Sequence, residues 1–472
     1  MRPAGNNVIF LEVKPTREKI GPLCAVLVAG LFLIPLLTPA NAASVDLHAP
    51  HPVAMNQDPS SGSAPASAEQ AQPRTITGYS LPPDLFRKAH NLGRIAFWGQ
   101  ILVFFYSVGL LLIIMKWRLG PKFRNFAELV FSSRVLQGLI FGPVFLAALG
   151  ILSIPPDIAE HWVSRKFGLS IQAWDSWLAD WAKGQMVSIA IGTILICILY
   201  IVIRKSPRRW WLYFWLVSLP IGLFLVFLQP LVIDPLFHKF QPLAEEDPPL
   251  TVALEQMIQH AGENIPPERI FWMGAAEKST ALNAYVTGIG SSKRVVVWDT
   301  TIQKMTSPQI VFVTGHEMGH YVLHHVAKGL AAMAVFLFVL FYLGYRSIGW
   351  VLDRWGADWK IHGVDDWASL PALLLLLTIF SFIASPMNSA VSRYFEHQAD
   401  QYGLEVTHGL TPDSGQIAAQ SFQVLGETDL SDPDPNPLDV FLFYDHPTTS
   451  DRIRFALTYN PWANGGNGEF VH

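Results

Sequence analysis

Six apolar segments constrain this chain more than anything else in it. They run over roughly 95–115, 135–154, 186–203, 210–233, 329–351 and 367–391, with no charge through the centre of any. Each is long enough to cross about 30 Å of hydrocarbon. One such segment could be a buried helix of a soluble domain; six in one chain define a polytopic membrane protein. Composition agrees. Of 472 residues, 51% are hydrophobic and 15% charged, against about 25% charged in soluble domains. The net charge of −4, with no basic stripe, excludes nucleic acid as a partner and leaves membrane lipids as the surroundings. Cys24 and Cys197 both lie in apolar runs. They read as small packed hydrophobes and offer neither a disulfide framework nor a cysteine zinc site.

The ends of the spans divide the chain. Residues 20–38 are apolar, follow Arg2, Lys14, Arg17 and Lys19, and precede an A-x-A pattern at Ala40 and Ala42. Residues 1–42 thus read as a signal peptide or an N-terminal anchor. Residues 43–78, rich in Pro, Ser, Ala and Gln, read as a disordered linker. A four-span membrane domain is expected over 79–233, a soluble catalytic insert over 234–328, a two-span hairpin over 329–391 and a catalytic tail over 392–472. Lys116, Arg118, Lys122 and Arg124 occupy one inter-span loop, and Arg204, Lys205, Arg208 and Arg209 another. Basic loops stay in the cytoplasm, so the insert and the tail are expected on the non-cytoplasmic side, in a bacterial inner membrane. In the insert, 250–262 has helical spacing, while RIFWMG (269–274) and RVVVWDTTI (294–302) read as strands separated by a Gly-rich stretch.

The chemistry concentrates in VTGHEMGHYVLHH (313–325). H-E-x-x-H on a helix puts His316 and His320 one turn apart on one face, as neighbouring ligands for a single Zn²⁺, with Glu317 offset as a base. A catalytic zinc needs a third protein ligand. Glu396 supplies it: after His320 the chain crosses the membrane at 329–351 and returns at 367–391, so Glu396 arrives on the same side, 76 residues on. Asp400, one turn after Glu396, suits a carboxylate that accepts a ring N–H from a ligating histidine. His324 and His325 continue the helix and read as solvated interfacial residues. A zinc ion so held polarises a scissile carbonyl and acidifies a water. Glu317 takes the water's proton and passes it to the leaving amine. An oxyanion donor is also needed; His446 and Arg452, in FYDHPTTSDRIRF (443–455), are candidates, though spacing alone reads them as ordinary surface residues.

HEMGH, SRYFEHQADQYG (392–403), NAYVTGIGSSKRVVVWDT (283–300), PLFHKFQPL (235–243) and DHPTTSDR (445–452) resemble the motifs of the CAAX prenyl protease 1 family. The likeness covers about residues 80–460. It implies an integral-membrane zinc metalloendopeptidase. The fold class it implies is mainly α: a polytopic ring of membrane helices enclosing a chamber, with a small α+β zincin-like insert and the zinc site at one end. It implies zinc on His316, His320 and Glu396, Glu317 as base, and Asn283 with His446 and Arg452 lining the site to hold substrate or oxyanion. It also implies that the edge of the RVVVWD strand pairs with an extended substrate backbone; by its residues alone that strand reads as one of an ordinary hairpin. Familiar members have their site on the cytosolic side, opposite to the side the basic loops assign here. The expected substrate is a peptide or protein, lipidated or not. Two other readings stay open at this point: a broad-specificity quality-control protease of the membrane, and a metal transporter. Transporters keep ionisable residues near the bilayer midplane, whereas here the motifs cluster at segment ends.

Overall fold

The computed structural model describes residues 75–288 and 293–471. The expected signal segment 1–42 and most of the expected linker lie outside the described residues. The last of that linker is packed: Ile76 is buried, and both its backbone N–H and its C=O pair with the Gln416 side chain.

Long helices follow one another through the first part of the chain: α1 (Pro83–Lys116), the short α2 (Leu119–Val130), α3 (Arg134–Phe167), α4 (Trp174–Lys205) and α5 (Trp210–Leu228). Two more, α8 (His325–Trp359) and α9 (Leu370–Thr407), come later. Among the described residues, five helices are long and apolar enough to cross a membrane: α1, α3, α4, α8 and the helix that becomes α9. The expected span 210–233 is the exception. Its α-helix is 19 residues long and ends in a π turn at Gln229–Ile233, from which the chain leaves through a 3₁₀ turn at Asp234–Leu236. At 1.5 Å per residue α5 reaches about 28 Å, against about 52 Å for the 35-residue α8. The longer helices therefore overshoot the hydrocarbon by about 20 Å and carry residues out of it.

The spans bury one face and leave another apolar to the outside. Phe141, Phe145, Leu149, Tyr200, Phe214 and Trp367 form the inner core. Leu102, Ile151, Val335 and Ile383 remain more than 60% exposed, which suits lipid and not water. The two basic loops meet at one end. Arg118 donates to the Asp358 carbonyl, Arg204 donates twice to the Asp365 carbonyl, and buried Arg124 pairs with Asp366 at 2.5 Å. All three contacts fix the α8–α9 connection to that end, one helix length away from His325.

Between α5 and α8 lie α6 (Pro248–His260), a four-stranded sheet and α7 (Ser307–Val322). The strands are β1 (Phe240–Pro242), β2 (Ile270–Met273), β3 (Ala284–Thr287) and β4 (Arg294–Trp298), in the order β1-β2-β4-β3. β4 runs parallel to β2 and antiparallel to β3. This corrects the expectation that β4 offers a free edge: it is central, and the outer strand beside α7 is β3, inside the stretch read as a Gly-rich separator. The reason is visible in the residues. Val295, Val296 and Val297 are all fully buried, and a continuous apolar run, unlike an alternating one, marks a strand covered on both faces. The expected strand also ends early, since Asp299–Lys304 is helical.

After α9 come α10 (Ser414–Thr428), α11 (Pro437–Phe443) and α12 (Thr449–Thr458). α7 and α9 cross at very short range. A Cβ added to Gly319 would lie 2.9 Å from Tyr402 Cβ, and one on Gly315 2.9 Å from Val406 Cγ1. Only glycine lets the two backbones approach this closely.

Candidate metal centre

Three elements deliver the ionisable side chains. α7 opens on a capping box, in which Thr306 and Gln309 satisfy each other's backbone groups, and it buries His316, Glu317 and His320, each 5–7% exposed. α9 is one unbroken helix from inside the membrane to Thr407, and Glu396 on it is 0% exposed. The loop between α11 and α12 brings His446.

The three nearest groups form a small triangle. His316 Nε2 lies 3.2 Å from His320 Nε2 and 3.3 Å from Glu396 Oε2, and His320 Nε2 lies 3.4 Å from Glu396 Oε1. A tetrahedral zinc with bonds of about 2.05 Å sets its ligand atoms about 3.3 Å apart. Neither Glu396 oxygen, though buried, has an aligned hydrogen-bond donor among the described residues. A wholly buried carboxylate is costly unless positive charge faces it, and here such charge comes from the surrounding imidazoles or from a metal ion among them. The donor set and its spacing thus fit a tetrahedral metal ion.

The surroundings favour positive charge at this point. Burial opposes a proton on His316, yet its contacts with Asp400 and Glu396 hold its pKa up, at about 9. Burial likewise opposes a charged His446, but Glu396 and Asp445 raise it to about 10. Burial carries His320 down to about 3, leaving it neutral. A bound cation would supply the charge these carboxylates attract and would displace the proton from His316, since metal ligation requires neutral imidazole.

Around the triangle, Asp400 Oδ1 lies 2.8 Å from His316 Nδ1, and Arg452 makes a two-pronged contact to the same carboxylate, Nε to Oδ2 at 2.8 Å and Nη2 to Oδ1 at 2.5 Å. Arg452 thus lies beside the centre and lines the same cleft as Glu317, with its guanidinium paired to Asp400, because a buried carboxylate draws the nearest fork of donors. His446 Nε2 sits 3.0 Å from Glu396 Oε2, with Nδ1 held by Asp445 at 3.0 Å. Glu317 and Asn283 both line an apolar cleft beside His316, walled by Met305, Phe312, Phe422 and Leu425. The Asn283 backbone is pinned by Thr301, which accepts from its N–H and donates to its C=O, while its side-chain Oδ1 is buried without a partner among the described residues.

The comparisons with known proteins bear on this geometry. A family model described as peptidase family M48 matches residues 244–460, and another, the CAAX prenyl protease N-terminal region with five membrane helices, matches residues 66–239. The metalloprotease YhfN of Bacillus subtilis (strain 168), itself uncharacterised, is 34% identical over 398 residues, covering 83% of this chain and 91% of that one. The chain belongs to the CAAX prenyl protease family of M48 peptidases. CAAX prenyl protease 1 of Saccharomyces cerevisiae is 24% identical over 424 residues, covering 82% of this chain and 90% of that one. The crystal structure of S. mikatae Ste24p superposes with a TM-score of 0.67 at 26% identity, over 80% of this chain and 89% of that one. This M48 chain is thus a multi-pass membrane metalloprotease, mostly helical with a small sheet.

Three neighbours of the centre escape sequence reasoning. His325 is not solvated; it is 2% exposed and touches His320. Gln398 reaches His325 in turn. Arg393 donates to the Val440 and Tyr444 carbonyls at 3.0 and 2.5 Å, fixing the backbone just before Asp445 and His446. Nothing in the local sequence marks these contacts. Each depends on a break or a crossing set elsewhere in the chain.

Proposed function

We propose that this M48 protease is a zinc endopeptidase in which His316, His320 and Glu396 hold the ion and Glu317 is the general base. One observation carries the reading: two imidazole nitrogens and a carboxylate without aligned donors converge at 3.2–3.4 Å beside a cleft that Glu317 lines. When bound, zinc supplies Lewis-acid polarisation of the scissile carbonyl and of the attacking water. Glu317 removes the water's proton and returns it to the departing amine. Asp400 accepts the His316 Nδ1 proton, which leaves Nε2 free to ligate, and Arg452 keeps Asp400 ionised. His446, charged in its carboxylate surroundings, faces the cluster as a donor to developing negative charge. Asn283 offers its side-chain Oδ1, unpartnered among the described residues, as an acceptor to a substrate backbone, and β3, which follows it directly, is the outer strand against which an extended peptide can be laid.

The substrate we assign is a peptide or protein, with the C-terminal CAAX segment of a lipidated protein as the leading class. Support comes from the CAAX prenyl protease 1 relative in yeast. An insert over 234–328 and a tail over 392–472 share the site, on a membrane domain built from the remaining helices. The site belongs on the non-cytoplasmic face of a bacterial inner membrane. That placement is supported by both basic loops lying at the end opposite the metal centre and by the Bacillus relative. The test is Glu317→Gln in the purified full chain. It should keep one zinc per molecule and lose cleavage of a CAAX peptide by about 10²–10⁴-fold. Parental cleavage by that variant removes Glu317 as the base.

A further inference from the structure

The Asp400–Arg452 pair accounts for the orientation of His316, but the other histidine of the motif needs a partner of its own. A neutral imidazole carries one proton, and which nitrogen bears it is set by what the other nitrogen touches. His320 can ligate through Nε2 only if its proton is on Nδ1. That nitrogen lies 3.1 Å from His325 Nδ1, in a fully buried contact. The other nitrogen of His325, Nε2, lies 3.1 Å from Gln398 Oε1. An amide oxygen only accepts, so His325 bears its proton on Nε2 and presents a lone pair at Nδ1. That lone pair requires the proton of His320 to sit on Nδ1. From these contacts we propose that Gln398 and His325 form a positioning relay that holds His320 in its metal-binding tautomer. The proposal deepens the zinc reading above and rests on it.

The backbone is built for this contact. On an uninterrupted helix His325, five residues after His320, would point about 140° away from it. The chain instead breaks between α7 and α8 at His324, whose φ of 56° is left-handed, a conformation that non-glycine residues seldom adopt. The break returns the His325 ring to His320. Phe395, one residue before the ligand Glu396, stacks on that ring at 4.7 Å with planes 13° apart. Residues 396, 398 and 400 of one helix therefore serve the centre from different sides: one faces both imidazoles, one acts on His316 directly, and one acts on His320 through His325.

The test measures zinc affinity by chelator competition on the full chain in detergent, with Gln398→Met, Gln398→Glu and His325→Phe. Gln398→Met keeps length without an acceptor, Gln398→Glu keeps the acceptor, and His325→Phe keeps the stack on Phe395. We expect zinc to bind 10- to 100-fold more weakly in Gln398→Met and His325→Phe, and Gln398→Glu to stay within about threefold of the parent. A residue that only fills space would not distinguish Glu from Met. If His325→Phe fails to fold, the Gln398 pair decides alone, since that side chain is part-exposed. Parental affinity in Gln398→Met, or equal loss in both Gln398 variants, overturns the relay. A parent that binds no zinc refutes the metal reading itself, a result separate from any difference among the variants.

Discussion

The contact between α7 and α9 offers the sharpest single test of how this fold makes its site. Gly319→Ala adds one methyl group 2.9 Å from Tyr402 Cβ and 3.1 Å from the ring atoms Cγ and Cδ1. Carbon atoms pack at about 3.5–4.0 Å, so α7 must move away from α9 by about 0.6–1.1 Å. Tyr402 cannot yield by a rotamer change, because the nearest atom is its Cβ and the residue is 1% exposed. Overpacking of this kind costs about 1–3 kcal/mol. His320 is the next residue, and the separation adds directly to the 3.3 and 3.4 Å distances that join the two imidazoles to Glu396. If that whole cost falls on the metal-competent geometry, zinc affinity drops about 5- to 150-fold, at 1.4 kcal/mol per tenfold. Chelator competition and thermal unfolding, measured on the same sample, give both quantities. Gly329→Ala is the control: a Cβ there meets nothing within 4 Å, and in a helix interior alanine is favoured by about 1 kcal/mol. Unchanged affinity and unchanged unfolding in Gly319→Ala would refute the claim that the glycine crossing sets the ligand spacing.

Three further outcomes follow from the same geometry. Asp400→Asn sets an amide against donors from both Arg452 and His316; it should destabilise the fold by about 3–5 kcal/mol and weaken zinc about 10- to 100-fold, read by denaturant unfolding and metal titration. Arg393→Ala frees the backbone ahead of His446 while leaving the three ligand side chains untouched, so cleavage rate should fall with metal content at the parental level, as steady-state kinetics and elemental analysis can show. Stripping the metal with a chelator should abolish peptidase activity and lower the melting temperature, and restoring zinc to 100 times its Kd should recover about 2.7 kcal/mol of stability.

How much of this could be read from residue order alone varies from element to element. The membrane helices are legible because burial in lipid needs only length and apolarity, both local properties. Helix α5 falls short of its apolar run because the chain leaves the α conformation at Gln229, a change that apolarity does not report. The H-E-x-x-H pair is legible because 3.6 residues per turn place i and i+4 together. Glu396 is legible by topology, since two crossings return the chain to the face it left. The centrality of β4 is written in its three consecutive valines but needs the pairing partners to interpret it.

What residue order determined by itself, then, is the apolar spans, the two histidines on one helical face and the return of a carboxylate to their side of the membrane. All three follow from short-range periodicity and chain length. Tertiary structure alone decided the approach of α7 to α9, the turning of Arg452 onto Asp400, the backward reach of His325 and the choice of β3 as the outer strand. Those arrangements join residues far apart in the chain, as Gly315 of α7 and Val406 of α9 are. Their cause is close packing and the pairing of buried charge, which no single stretch of the chain contains.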